Sequence, residues 1–451
     1  MNKRFILTVL LFLVCLSGCV GNDSMPDRLI NKSEDEIIDE IAAMPDNDID
    51  IGFSSLVIAK GYYPEIDIKK YLSQLDTMAR ELKEKIGNEN NPEEIITIIN
   101  QYLFETKNIR MSSQTLTEAY KNEAKEAFLN NLLDTGIGNC TAMSALYLAL
   151  AERLRLPFYT ARIPDHVFIR YDDGKFKRNI ETTDHGKEGN DAFYIKFAEN
   201  NLGTGKLVED DIKYYKLLEN ESKKSFLEGL LRIRAKVRYN DGNKKEAYND
   251  WQKTIKLSDN LGATYAHIAI ELSYFVNEKN NDEALIWINK AIEVSPQYYL
   301  FYQYRGRIYD AKNDLENALR DCNKAIELNK SQPVSYRARA RIYEKKKDYD
   351  KALADIEKEI ELMPDTFSPH FGRALLLWRK KEYNESLKEL KVVIEINPDY
   401  AMAYYMNGLI YKETGESEQA ISNFEKYLKL APDGQYAKTV KDYIKELEAP
   451  K

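Results

Sequence analysis

Cysteine and histidine are both scarce, four of each in 451 residues. The cysteines are scattered rather than paired at metal-ligand spacing, which argues against a disulfide framework, and the dispersed histidines offer no zinc site. No metal or cofactor is expected. Basic blocks are missing as well: 65 Lys and Arg against 73 Asp and Glu leave a formal charge of -8 without a lysine- or arginine-rich run, so nucleic acid is not an expected partner. Long apolar runs are missing apart from Phe5 to Leu16, which is too short to span a membrane as a mature helix. What is present is ample core material: 43% of the residues are apolar in a chain too long for one ordinary core, so two folded domains are expected.

The Phe5 to Leu16 run follows Lys3 and Arg4 and leads directly into small residues, the layout of an export signal over residues 1–18. A plain signal peptide cut at an ordinary small-residue site reads the same run. Its end, Leu16-Ser17-Gly18-Cys19, resembles the bacterial lipobox, which implies that Cys19 carries lipid and becomes the mature N-terminus. Lipid chains contribute about 0.8 kcal/mol per buried methylene, so a multiply acylated Cys19 is expected to hold the protein on a membrane of the cell envelope, facing the extracytoplasmic side. Residues 19–48, rich in Asp, Asn, Ser and Glu, read as a tether, with a short helix possible over Glu36 to Met44.

Internal periodicity organises the second half. Ala284, Ala318, Ala352, Ser386 and Ala420 recur every 34 residues, and twelve residues before each lies Leu272, Gly306, Ala340, Ala374 or Gly408. Tyr309, Tyr343 and Tyr411 sit three positions further on, and Pro296, Pro364, Pro398 and Pro432 fall where a helix must stop. These residues resemble the tetratricopeptide repeat. A less regular unit around Ala235, Ala247 and Trp251 makes six repeats over residues 228–434, with residues 435–447 as a solvating cap helix. The resemblance implies an all-α solenoid whose groove holds a peptide or protein partner. Tyr298, Tyr299, Tyr302 and Tyr304, with Tyr400, Tyr404 and Tyr405, cluster at the starts of first helices, either as exposed anchors for such a partner or as packing between repeats. Cys322 occupies a repeat position that is normally buried and apolar.

Before residue 206 the 34-residue period is absent. Helical patterns over Ile68 to Ile86 and Pro92 to Phe104 give way to strands after Pro157, the order of an α+β domain over residues 49–205, with a connecting segment over 206–227. Gly136-Ile137-Gly138-Asn139 is a loop that ends at Cys140, where an apolar helix over Thr141 to Leu154 begins. A helix N-terminus favours the thiolate, and the amide of Cys140 is placed to donate to an oxyanion. His166 opens an alternating strand, Asp173-Gly174 signals a two-residue hairpin, and with Asp172 facing Lys175 the register sets His166 opposite Glu181.

Together, Gly138-Asn139-Cys140, Pro164-Asp165-His166 and Asn179-Ile180-Glu181-Thr182-Thr183 resemble the transglutaminase-like superfamily, over roughly residues 50–200. That resemblance implies papain-like topology with Cys140 as nucleophile, His166 as base and Glu181 as the acidic orienter, in a superfamily of peptidases, amidases and cross-linking enzymes. Glu181 stands where many members have Asp. Asp184 and His185 are second-ranked alternatives for orienter and base, and Asn139, Gln101 and Asn179 are equal candidates for a side-chain oxyanion donor. Three functions follow: a lipid-anchored cysteine hydrolase or acyltransferase to which the repeats present a partner, a non-catalytic envelope scaffold acting through its repeats, or a module that binds a cell-wall fragment and leaves Cys140 dispensable. Hydrolysis is preferred over amine transfer, because nothing marks a second, amine-binding pocket.

Overall fold

The computed structural model describes residues 24–112, 126–164, 166–202, 209–214, 216–275 and 280–449. Cys19 and the expected export signal over residues 1–18 lie outside the described residues. Among those described, no helix is long and apolar enough to cross a membrane. The chain divides into two compact units, the first ending at Thr264 and the second starting at Tyr265.

The first unit begins with a surprise for the sequence reading. The expected tether folds into helices α1 (Met25–Leu29) and α2 (Glu34–Ala43). A reciprocal capping box between Ser33 and Glu36 starts α2, and Ile37, Ile38 and Ile41 share its inner face. Those isoleucines and Leu29 are buried in one core with α3 (Ile51–Tyr62), α4 (Ile68–Ile86), α5 (Pro92–Asn100) and two further helices, α6 (Leu129–Thr135) and α7 (Cys140–Leu154). Four buried apolar side chains thus outweigh the polar composition that suggested a linker.

Strands β1 (Arg110–Met111) and β2 (Ile137–Gly138) form a short parallel pair. Strands β3 (Phe158–Ile163), β4 (His166–Asp172), β5 (Lys177–Glu181) and β6 (Lys187–Glu188) form an antiparallel sheet in that order. Phe158, Ile169, Tyr171 and Ile180 join the core that contains α7, whereas Ala161, Ile163 and Phe168 pack against Tyr194 and Ala198 of α8 (Asp191–Leu202). The strand alternation therefore gives the sheet two covered faces.

The first unit closes with α9 (Glu209–Tyr214), α10 (Lys223–Asn240) and α11 (Lys244–Leu257). The repeat expected to open the solenoid at 228 is here built into the first unit: Phe226, Leu227, Leu230 and Leu231 of α10 belong to the same core as α3. Arg234 is fully buried beside them and grips Asp250 through Nε and Nη2 at 2.9 and 2.5 Å. It also donates to Glu34 of α2 and to the carbonyl of Ile58. A side chain at Gly61 would meet this guanidinium, which explains the glycine.

The second unit alternates helix pairs at the predicted period: Tyr299–Ala311 with Leu315–Leu328, Pro333–Lys345 with Tyr349–Leu362, Phe367–Arg379 with Tyr383–Ile396, and Ala401–Thr414 with Ser417–Leu430. Asn281–Val294 precedes them, and Ala437–Glu448 follows, one to two residues from the expected cap. Ala284, Ala318, Ala352, Ser386 and Ala420 are all fully buried. Arg305 and Arg339, 34 residues apart, each fork onto an aspartate of the second helix, Asp321 and Asp355, and reach back to Asn289 and Asn323 of the preceding pair. Arg373 continues the series with Glu389 and Glu357, but the next rung is the uncharged pair Asn407 and Asn423. Tyr298, Tyr299, Tyr302 and Tyr405 are buried, so these four pack between helices and are not exposed anchors. Tyr304, Tyr400 and Tyr404 are half-buried, with Tyr400 against Phe367 and Phe371.

Two glycines at the same repeat position differ in what surrounds them. A Cβ at Gly408 would lie 2.4 Å from the ring of fully buried Phe424, whereas at Gly306 its nearest neighbours stand at 3.4 Å. Gly408→Ala is therefore expected to destabilise the last repeat by about 1–3 kcal/mol through overpacking. Gly306→Ala is expected to be neutral or to gain up to about 1 kcal/mol from helix propensity. Urea unfolding followed by circular dichroism separates the two; equal effects would show that the Phe424 contact does not govern the site.

Candidate active site

Cys140 is positioned by a tight approach and a capped helix. Gly136 turns the chain with φ of 71° after α6, and Arg110 and Met111 pair with Ile137 and Gly138. A Cβ at Gly138 would press on Leu132, Ala142 and the carbonyl of Glu126 at 3.0–3.2 Å, so only glycine brings the loop this close. Asn139 then caps α7, its Oδ1 accepting from the amides of Thr141 and Ala142 at 3.0 and 3.2 Å. The N–H of Cys140 has no hydrogen-bond partner among the described residues, which leaves a donor beside the sulfur. The thiol is free and half-buried.

His166 opens β4 and Glu181 ends β5, and their side chains meet: Nε2 lies 2.7 Å from Oε2. The contact is as expected, but the register is not. Asp172 pairs with Lys177 rather than Lys175, because the turn is a four-residue loop from Asp173 to Phe176. Asp172 and Asp173 stabilise that loop by accepting from the amides of Gly174, Lys175 and Phe176 at 2.8–3.0 Å. The slip is two residues, and because strand side chains alternate with period two, His166 and Glu181 stay on one face and meet diagonally. Thr183 donates to Glu181 Oε1 through its amide at 3.0 Å and through its hydroxyl, and Tyr194 donates to Oε2 at 3.2 Å. Thr183 stands in the motif that the sequence offers, though without a role of its own there, and nothing in the sequence singled out Tyr194, which only the packing of α8 on the sheet brings in.

The electrostatics link the three groups. Burial pushes the Cys140 thiol up, yet a hydrogen bond to His166, its positive charge and the amide of Val167 outweigh burial and hold the thiol below its ordinary value. Burial lowers His166, but hydrogen bonds to Cys140 and Glu181 and their charges overcome it and raise the imidazole to about 10. With Nε2 engaged by Glu181, Nδ1 is the ring nitrogen left for the sulfur. Glu181, pushed up by burial, is held below the usual carboxylate range by His166 and Thr183. The three shifts all run in the direction that favours a thiolate–imidazolium pair steadied by a carboxylate.

The remaining candidates separate. Asn179 is engaged at both ends, accepting from Arg170 at 2.6 Å and donating to Asp191 at 2.8 Å, which ties it to the sheet and to α8. Gln101 lines a cavity of about 480 Å³ with Asn100, Phe104 and His185, away from the thiol. Asn139, next to Cys140, caps α7 through Oδ1, and its amide NH₂ has no partner among the described residues. Asp184 and His185 are exposed and face each other at 3.8 Å, and His185 packs on Phe104; neither bonds to His166. Cys322 is buried, as expected for a core position.

A mixed α/β unit that opens a helix on a cysteine, and a sheet that presents a histidine and an acid to it, define a thiol–imidazole–carboxylate site followed by helical repeats. Residues 69–227 match the transglutaminase-like superfamily, and residues 301–332, 337–401 and 401–433 match the tetratricopeptide repeat. The chain accordingly joins a transglutaminase-like core domain to tetratricopeptide repeats. Over 142 residues it is 26% identical to a "UPF0162 protein" of Xylella fastidiosa strains Temecula1 and 9a5c; the match covers 30% of this chain and 47% of each relative, so it spans less than half of their length. Among solved structures, YrrB, described as a TPR protein with an unusual peptide-binding site, is 22% identical over 43% of this chain and 97% of its own, with a TM-score of 0.36. The pilF protein of Pseudomonas aeruginosa is 15% identical over 48% of this chain and 96% of its own, with a TM-score of 0.38.

Proposed function

We propose that the first unit is a thiol acyl-transfer domain of peptidase or amidase type, that the repeats hold a peptide or protein partner, and that lipid on Cys19 anchors the chain to an envelope membrane on its extracytoplasmic side. The observation that carries the catalytic reading is the His166 imidazole held 2.7 Å from the Glu181 carboxylate and near enough to Cys140 to keep its thiol below the ordinary value. The Cys140 thiolate attacks a carbonyl carbon, and the oxyanion takes the Cys140 N–H. As the C–N bond breaks, His166 gives its proton to the leaving nitrogen, and a thioester remains. Water then loses a proton to His166 while its oxygen bonds to the acyl carbon; the C–S bond breaks, and the thiolate and imidazolium return.

An activated ester reads this chemistry without knowledge of the substrate. p-Nitrophenyl acetate is expected to release about one equivalent of nitrophenolate in a burst, with an acetyl group mapped to Cys140 by mass spectrometry. Cys140→Ser abolishes the adduct, and His166→Ala slows its turnover on the order of 100-fold or more. Acetylation confined to lysines would remove the proposal. The anchor is tested separately: protein made with its leader is expected to enter the detergent phase, and Cys19→Ala to leave it. An unmodified N-terminus in the aqueous phase would overturn that part alone.

A further inference from the structure

Helix α8 presents two faces next to the thiol site. Tyr194 and Ala198 point inward onto Ala161, Ile163 and Phe168, with the rings of Tyr194 and Phe168 stacked at 3.7 Å. One residue round the helix, Phe193 and Phe197 remain 52% and 37% exposed, with their rings 6.4 Å apart. The Phe197 ring lies 5.5 Å from that of His166. Of the exposed large apolar side chains among the described residues, these two phenylalanines have rings close to one another, and Phe197 adjoins the imidazole of His166.

The helix that carries them is fixed from below. Asp191 binds both Arg170 and Asn179, and Tyr194 binds Glu181, so the phenyl rings stand on a base whose polar contacts run into the sheet. Nothing in the Cys140, His166 and Glu181 chemistry requires an aromatic at either position. An apolar step beside the imidazole of such a site is placed to seat a substrate side chain so that its carbonyl arrives in reach of the sulfur.

We infer that Phe193 and Phe197 form the aromatic subsite of the thiol centre and receive an apolar side chain, aromatic or large aliphatic, flanking the carbonyl that Cys140 attacks. The inference rests on the acyl-transfer reading, but its test is separable. Iodoacetamide and N-benzyl-iodoacetamide carry the same reacting group and differ only in the phenyl. On the intact chain, the benzyl probe is expected to modify Cys140 on the order of tenfold faster than the parent, relative to the ratio of the two with glutathione. Phe193→Ala and Phe197→Ala each bring that ratio towards the glutathione value, Phe197→Leu retains part of it, and Ile286→Ala, in the second unit, leaves it unchanged. A ratio equal to that of glutathione in the unaltered protein, or one that survives both alanine variants, overturns the subsite. Slow labelling by both probes counts against the acyl-transfer reading, and the ratio between them still decides whether the rings seat an apolar group.

Discussion

At about pH 6.5, iodoacetamide is expected to modify Cys140 of the native protein about 1000-fold faster than Cys322, an effect larger than any ordinary spread of thiol reactivity. Cys322 is 1% exposed, and burial, reinforced by the charge of Asp321, pushes its thiol up to about 12. Cys140 keeps solvent contact and is held low by His166. Lowering a thiol by one unit gives about tenfold more thiolate below its pKa and takes back about threefold in intrinsic nucleophilicity, so a net gain survives. The sign in pH follows: labelling rises as pH climbs through the depressed thiol value, and the imidazolium that sustains it persists until about 10. His166→Ala leaves burial and the Glu181 charge acting against the thiolate, with the amide of Val167 to favour it, so the inflection moves up and the rate near neutrality falls about tenfold or more. Glu181→Gln acts in the same direction but more weakly, because its carboxylate also opposes the thiolate directly. A Cys140 that labels only after denaturation, or at a rate indifferent to His166, would favour the scaffold reading.

The largest stability effect is expected at Arg234. Replacing it by Met takes one of two guanidinium partners from Asp250, which is wholly buried and keeps Arg238, and loosens Glu34, which keeps Lys253; losing these charged hydrogen bonds in a buried cluster costs about 2–3 kcal/mol. Lys324→Met, which removes an exposed pair with Glu327, is expected to change stability by less than about 1 kcal/mol. Trp251, fully buried in the first unit, reports the transition by fluorescence once Trp287 and Trp378 are replaced by Phe. Similar midpoints for the two variants would mean that water reaches the Asp250 carboxylate and the cluster is not the buried pair described.

Much of this architecture is legible in the amino-acid order, and the parts that are not have identifiable causes. The recurrence of Ala318, Ala352 and Ala420 gives the repeats, because a helix pair can stack only where a small residue lets the backbones close. The meeting of His166 and Glu181 is legible despite a wrong turn, since an even slip conserves the face. The loop itself is hidden: its length is set by Asp172 and Asp173 accepting local amides, which an Asp-Gly pair does not disclose. Helix α1 is hidden by composition, whereas α2 falls where the sequence allows a short helix over Glu36 to Met44 within the tether. The assignment of α10 and α11 to the first unit is hidden because Arg234 looks like any other surface arginine until Glu34, Ile58 and Asp250 surround it.

Folding of the expected tether changes the reach of the molecule. With α1 starting at Met25 and α2 locked to α10 by Glu34, a lipid on Cys19 would be joined to the folded body by residues 20–24 alone, a leash of about 18 Å at full stretch. On the proposed anchoring, the protein would not sweep the space above its membrane. It would work as a surface-bound tool whose partners must come to the bilayer, and a pull on the anchor would pass through the Arg234 cluster into the helices behind it.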